Sequence, residues 1–458
     1  MPYEASPAAI TPLLPLAGKQ RKIAIIGSGV AGLGAAWLLN QSADITVFEK
    51  NEHVGGHANT VDAGDGAAPV PVDTGFIVYN EQNYPNLVAL FEHLGVETKP
   101  SSMTFAASVD QGRFEYCGTG VNGLLAQRRN LINPRFWRML RDVLRFYRTA
   151  ENLAQDAECS DLSLGAYLRR EKYSDAFVKD HILPMGAAIW STSVDEMMDY
   201  PLATFVRFFK SHGLLKVKDR PEWRTVQGGS REYVKRLTQT FANKIRHDQI
   251  IAVRRLPGHV ELETAGGKKF LYDDVVLATH ADEALELLSD ASALERDHLE
   301  CFRYTQNKTY LHTDASMMPK RRAVWSSWNY LGESKADGEA LTVTYWMNRL
   351  QSIDEGTPLF VTLNPSHPPR AETILRQFDY QHPLFDANAI RAQKSLWALQ
   401  GQNRTWFCGS YFGYGFHEDA LQSGLAVAEC LGSVKRPWDK ADQNSRINVN
   451  TPTLLAAD

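Results

Sequence analysis

Residues 22–49 read KIAIIGSGVAGLGAAWLLNQSADITVFE, and the fold turns on this stretch. Ile23, Ala24, Ile25 and Ile26 form a short apolar run that stops at glycine, the pattern of a parallel strand buried on both faces. Small and apolar residues follow at helical spacing over 30–39, and 44–49 turns β-branched again. Strand, glycine turn, helix and strand in so short a stretch make a βαβ unit. Gly27, Gly29 and Gly32 stand in G-x-G-x-x-G spacing. The first permits a tight turn, the second lets the backbone approach a pyrophosphate, and the third lets helix and strand pack closely. Val30 and Ala31 then open a helix whose unpaired N–H groups and dipole favour negative charge. Glu49 ends the second strand, where a carboxylate accepts hydrogen bonds from a ribose and repels a 2′-phosphate. The plain alternatives are a glycine-rich turn and a solvated strand-end acid; the register between triplet and acid favours a dinucleotide.

A chain of 458 residues, 44% hydrophobic and 22% charged, is long enough for two or three globular domains. With 49 basic and 53 acidic residues the net charge is −4, so no global basic field attracts nucleic acid. No apolar run reaches the ~18 residues of a spanning helix, and mean hydropathy is −0.32. The first twenty residues, rich in proline and alanine, read as a loose arm without the layout of a secretory signal. Cys117, Cys159, Cys301, Cys408 and Cys430 are odd in number and form no C-x-x-C pair. They fit reduced cytoplasmic thiols and argue against a disulfide framework or a metal site.

Further along, 83–221 is mostly helical, with unbroken helical periodicity predicted over 135–152 and 162–179. Strand texture returns at 249–255, 259–264, 274–279, 308–312, 323–330 and 341–347, and a last helix is predicted over 418–431. Dinucleotide-type signals at start, middle and end predict an α/β fold of two interleaved domains. One is a Rossmann-like cofactor domain from 21–82, 222–300 and 395–432. The other is an α+β substrate domain from 83–221 and 301–394, with a loosely held polar tail over 433–458.

The pieces KNEHVGGHANT, VDTGF and TWFCGSYFGYGFHEDALQSGLAVAECL complete a pattern that resembles the FAD-dependent amine oxidase superfamily, which includes phytoene desaturases and protoporphyrinogen oxidases. That resemblance implies one FAD, with Lys50 beside the ribose glutamate, Gly55, Gly56 and His57 near the phosphates, and Thr74 and Gly75 near the flavin ring. It places Ile250 and Ala278 in the mid-chain cofactor elements. At the C-terminal element it places Gly409, Ser410, His417, Glu418, Asp419 and Ala420. His57 departs from the family's usual arginine, and Ser410 from its usual acid. Relatives with a covalent flavin attach it upstream of Cys408, in a region that here (379–392) lacks cysteine, so the implied FAD is non-covalent. The pieces TYLHTD, WSSWNY, TYWMNRLQ, HPLFD and GYGFHED are similar to a bacterial group of NAD/FAD-binding proteins often encoded beside cyclopropane fatty acid synthases. This implies an apolar or lipid substrate and hydride removal of the desaturase type, with amine oxidation, or a flavin-bearing protein without turnover, as alternatives.

Flavin oxidation asks little of the protein beyond a dry pocket and an aimed C–H or N–H bond. Lys308 lies roughly where amine oxidases hold a lysine near the flavin; an exposed strand lysine is the alternative. His312 shares its face by period-two alternation, and His417 sits at the C-terminal element with a reference pKa of about 6.5 suited to proton transfer. Dense aromatics (Trp190, Phe205, Phe208, Phe209, Trp325, Trp328, Tyr330, Tyr345 and Trp346) suit core packing or an apolar pocket. At about 100° per residue, Arg135, Arg138, Arg141, Arg145 and Arg148 share one arc with only Asp142 among them. Phe136, Met139, Leu140, Val143, Leu144, Phe146 and Tyr147 share the other, with Trp137 at the boundary. This is either an ordinary surface helix or an interfacial helix on anionic membrane, with Trp137, Phe136 and Leu140 inserting.

Overall fold

The computed structural model describes residues 20–64, 69–153, 162–216, 219–335, 338–441 and 443–449. The apolar run opens it as expected: strand Lys22–Ile26 is buried from Ile23 onward and lies at the centre of a five-stranded parallel sheet. Its neighbours are Asp44–Phe48 and Asp274–Leu277, with Ile245–Arg246 and Thr405–Phe407 at the edges. Three distant parts of the chain thus close one sheet. Helix Val30–Leu39 covers it and is buried on every side, because the C-terminal helix His417–Gly432 packs across it. A Cβ at Gly424 would lie 2.1 Å from the Ala31 carbonyl oxygen, so the two helices cross backbone to backbone.

The second lobe is a seven-stranded mixed sheet in the order Ile374–Leu384, Arg303–His312, Phe360–Leu363, Gly338–Trp346, Trp328–Lys335, Phe105–Val109 and Phe114–Cys117. All pairs are antiparallel except Trp328–Lys335 with Phe105–Val109. One face, with Leu311, Val343, Tyr345, Val361 and Leu363, packs toward Val72, Ile77 and Ala188. Beside the sheet lie helices Pro134–Leu153, Leu164–Arg170, Leu183–Trp190 and Leu202–Ser211.

Three expectations are revised. The helix expected over 162–179 breaks after Arg170, where Lys172 takes a positive φ of 53° and Ser174 caps a new start at Asp175. Helix Pro85–Leu94 packs on the C-terminal helix rather than on the substrate lobe. The N–H groups of Asn86 and Leu87 bond the Glu418 carboxylate. The tail is held, not loose, over its described part. Trp438 stacks on Trp37 at 5.9 Å, the buried Arg436 pairs with Glu429, and Arg446 pairs with Asp419. The arm over 1–19 and Cys159 lie outside the described residues.

Candidate cofactor and substrate cleft

Glycine is required at two points of the loop for packing and at a third for room. A Cβ at Gly32 would lie 2.0 Å from the Gly27 carbonyl oxygen and 3.0 Å from the Ala278 Cβ; Gly27 itself has φ +104°. At Gly29, by contrast, nothing lies within 4 Å of a Cβ. Val30 and Ala31 follow as the first helical residues, both buried. The second glycine loop meets the first: Gly55 N–H donates to Ser28 Oγ at 3.3 Å, and a Cβ on Gly56 would stand 3.0 Å from Gly29 Cα.

Glu49 is buried at the strand end. One carboxylate oxygen accepts from the Ser28 N–H (3.1 Å) and hydroxyl (2.5 Å), the other from the Asn51 N–H (2.9 Å) and side-chain amide (3.0 Å). The backbone bonds hold the carboxylate in place, and a ribose diol would replace the two side-chain donors. The open space at Gly29, the helix start behind it and this buried acceptor together fit a dinucleotide. Lys50 is turned elsewhere and pairs with Glu283 at 2.7 Å. Ile250, itself buried, begins an antiparallel strand next to a bulge.

The C-terminal element departs from its expected use. Ser423 Oγ accepts from the Gly409 N–H at 2.9 Å, and Ser410 opens a short turn that the Gly415 N–H closes. Glu418 and Asp419 do not present their carboxylates to a cofactor. Glu418, fully buried, caps helix Pro85–Leu94 and accepts from Asn86 and Gln422. Asp419 accepts the Phe416 N–H at 2.8 Å and pairs with Arg446 at 3.4 Å. Burial raises the pKa of both carboxyls. Of Glu418, Asp419 and Ala420, only the backbone remains to act on a ligand.

Between the loops and the second lobe, rings converge. Thr74 Oγ1 lies 2.7 Å from the Tyr380 hydroxyl, which also accepts from Asn59. A Cβ at Gly75 would be 2.3 Å from the His57 carbonyl oxygen. His57 meets Tyr380 at 5.1 Å and His382 at 5.5 Å between ring centroids. Phe76 stacks flat on His417 at 3.9 Å, and the Tyr233 hydroxyl lies 2.6 Å from His417 Nε2. Burial depresses all three imidazoles: His382 to about 4, His417 to about 3, and His57 well below its usual value, helped by His382, His280 and His417 nearby. They are neutral at pH 7. His57 Nε2 is buried and has no hydrogen-bond partner among the described residues.

Lys308 and His312 do not reach this wall. In strand Arg303–His312 the cleft side is taken by the odd-numbered Asn307, Thr309 and Leu311, all buried, while Lys308 is exposed with Nζ over Tyr310. His312 is buried on the other face, 2.7 Å from Thr362 Oγ1 and beside Phe360, and burial lowers its pKa to about 4. The reading that missed Phe76, Tyr233, Tyr380 and His382 had one usable signal. Phe378, Tyr380 and His382 alternate along a single strand, and so share a face.

Of the five arginines on helix Pro134–Leu153, two are tied to other segments and a third, Arg141, pairs with its neighbour Asp142 at 3.4 Å. Arg135 makes two bonds to Asp180 (2.7 and 2.9 Å), and Arg145 donates to the Glu171 carbonyl and lies over Tyr173. Phe136 is fully buried and Leu140 half-buried on the core side, so neither can insert into a membrane. No helix among the described residues is long and apolar enough to cross a membrane, and none of their acidic, histidine or cysteine groups cluster to hold a metal.

Residues 25–94 match the family of NAD(P)-binding Rossmann-like domains. Solved structures share the architecture over most of the chain. A fatty acid isomerase from P. acnes that produces CLA is 16% identical, with 88% of this chain and 97% of that one covered at a TM-score of 0.63. Cyclohexylamine oxidase from Brevibacterium oxydans is 13% identical, with 91% and 99% covered at 0.63. A putrescine oxidase bound to putrescine is 15% identical, with 90% and 98% covered at 0.62. No curated protein sequence matches the chain.

Proposed function

We propose that this chain, which has the fold of the FAD-dependent amine oxidase superfamily, is an oxidoreductase that holds FAD without a covalent bond and removes hydride from an apolar, fatty-acyl or other lipid-derived substrate, leaving a double bond. The observation that carries this reading is the uncharged ring wall of His57, Phe76, Tyr380, His382 and His417. Such a wall suits an alkyl chain better than an ammonium group. Bound FAD supplies a two-electron acceptor for hydride. Around it, the helix start at Val30 favours the pyrophosphate, Glu49 the ribose, and the first turn at His417 any negative charge at the ring. His57 offers its unpaired Nε2 as the acceptor for the proton lost from the neighbouring carbon, and burial lowers its affinity for that proton. Cys408 is fully buried and burial pushes its thiol pKa far up, which supports non-covalent binding.

Two of the neighbours named above, cyclohexylamine oxidase and putrescine oxidase, act on amines. The amine reading calls for a lysine at the flavin and an aromatic cage; Phe76 and Tyr380 supply rings, but Lys308 faces away. Acid denaturation should release intact FAD into the supernatant. Mixing the oxidised protein anaerobically with fatty-acyl lipids and with an amine panel should bleach the flavin with lipid only. Bleaching by amines alone would replace the lipid reading with the amine one, and bleaching by neither would leave a flavoprotein without this turnover.

A further inference from the structure

Seven large apolar side chains stand exposed among the described residues, and five of them (Val121, Leu131, Ile132, Trp137 and Leu144) fall within one stretch of two dozen positions. Val121 is 70% and Ile132 85% accessible, values that side chains meeting water seldom reach without a purpose. The 3-10 turn Arg128–Ile132 leads directly into helix Pro134–Leu153, and the Trp137 indole N–H donates to the Leu131 carbonyl at 2.9 Å, fastening turn to helix.

The helix buries Phe136, Met139, Val143, Phe146 and Ala150. Directly opposite, at 100° per residue, Trp137, Arg141, Leu144 and Arg148 form one stripe, with Arg138 along its side. Apolar and cationic residues therefore alternate on the outermost line of the helix instead of segregating to two faces. Arg128 and Arg129 continue the charge onto the turn, both exposed. Between 128 and 150 the single acid is Asp142, which is buried, bonded to the Ser174 N–H and 3.4 Å from Arg141 Nε, whose side chain nonetheless stays 71% exposed. A second copy of the chain docked on this patch would set arginine against arginine. A surface of fixed negative charge over an apolar interior has the complementary chemistry.

We propose that the turn Arg128–Ile132, with the outer stripe of helix Pro134–Leu153, is a docking surface for an anionic phospholipid bilayer. Ile132, Leu131 and Trp137 enter the headgroup region, and Arg128, Arg129, Arg138, Arg141 and Arg148 meet phosphates. The helix packs on the segment 175–182, which continues into Leu183–Trp190. The bilayer therefore rests against the helices of the substrate lobe. The proposal stands whether or not the substrate is a lipid.

The test is co-sedimentation of the full chain with vesicles of phosphatidylglycerol and phosphatidylcholine, against phosphatidylcholine alone. Binding is expected on the anionic vesicles at low salt and release at high salt, since the Debye length falls to about 3 Å at 1 M. Each basic residue near an anionic surface strengthens binding roughly five-fold. The triple variant Arg138→Gln, Arg141→Gln, Arg148→Gln should therefore bind on the order of 100-fold more weakly. Ile132→Asn with Trp137→Ser should weaken binding while leaving its salt dependence in place. Unchanged melting and flavin content show that either variant is folded. Equal sedimentation of wild type and triple variant, equal binding to neutral vesicles, or concentration-dependent self-association abolished by Ile132→Asn would each overturn the proposal.

Discussion

On the nucleotide side of the cleft backbone meets backbone, whereas on the sheet side ring meets ring. A Cβ at Gly32 would fall 2.0 Å from the Gly27 carbonyl oxygen, and one at Gly424 2.1 Å from that of Ala31. Across the cleft, His57, Tyr380 and His382 approach with centroids 5.1 to 5.5 Å apart. The first wall has no slack, because two atoms cannot share a place, and its residue identities follow from geometry alone. The second can exchange one ring for another, so its identities follow from the chemistry it must perform. A substitution on the nucleotide wall tests the fold, and one on the ring wall tests the reaction.

The sharpest way to break this contrast lies inside the glycine loop. Gly32→Val should cost ~4 kcal/mol or more and yield little folded protein. Gly29→Val has an extended backbone at φ −67° and open space, so it should melt close to wild type and yet purify without flavin colour. Melting curves and the ratio of flavin to protein absorbance read both. If Gly29→Val unfolds as Gly32→Val does, the space at Gly29 is not reserved for a ligand.

Next in size is Arg446→Met, which leaves the buried Asp419 without its cation and should lower stability by about 3–5 kcal/mol in denaturant titration. A loss under about 1 kcal/mol would mean that the C-terminal strap does not anchor the helix beside the cofactor.

Acid should follow. Burial depresses His181, His312 and His382 to about 4, and His212 and His417 to about 3. The unfolded chain takes up protons at these groups from about pH 6.5 downward while the folded chain does not, so stability falls as pH falls through that window. His57 is depressed as well, whereas Asp73 and Asp274, raised to about 6 by burial, act in the opposite sense below that pH, as do the raised Asp180, Glu418 and Asp419. The histidine effect stands alone above about pH 6, so the melting temperature should drop between pH 7 and pH 6. A flat or rising profile would mean that the histidines are not held neutral.

The smallest effect is expected at Lys308→Met, with stability within about 0.5 kcal/mol of wild type and flavin reduction by substrate unchanged. A large loss of reduction rate would move Lys308 into the cleft and revive the amine reading.

Legibility in the sequence divided along the same line. Strand Lys22–Ile26, helix Val30–Leu39 and helix His417–Gly432 lie within a residue or two of their sequence boundaries. Their apolar runs and glycines are local signals with a steric cause. Lys308 and His312 were paired correctly by period two, yet which face of the strand looks into the cleft depends on what packs against the sheet. The tail after Ser433 looked loose because its composition is polar. Its polar groups are buried in pairs, Arg436 with Glu429 and Arg446 with Asp419, and composition cannot register partners so far along the chain.

By itself, then, the sequence determined that a glycine loop, a strand-end acid and a C-terminal helix belong to one Rossmann-like unit, since each is dictated by local backbone sterics and spacing. Only the tertiary structure decided that Glu418 and Asp419 are fasteners, that His57 and His382 face each other, and that Trp137 and Leu144 share the outer line of a helix with Arg141. Those facts depend on which surfaces the fold buries. Burial is a property of the whole packed chain, because water is excluded from a side chain by residues hundreds of positions away.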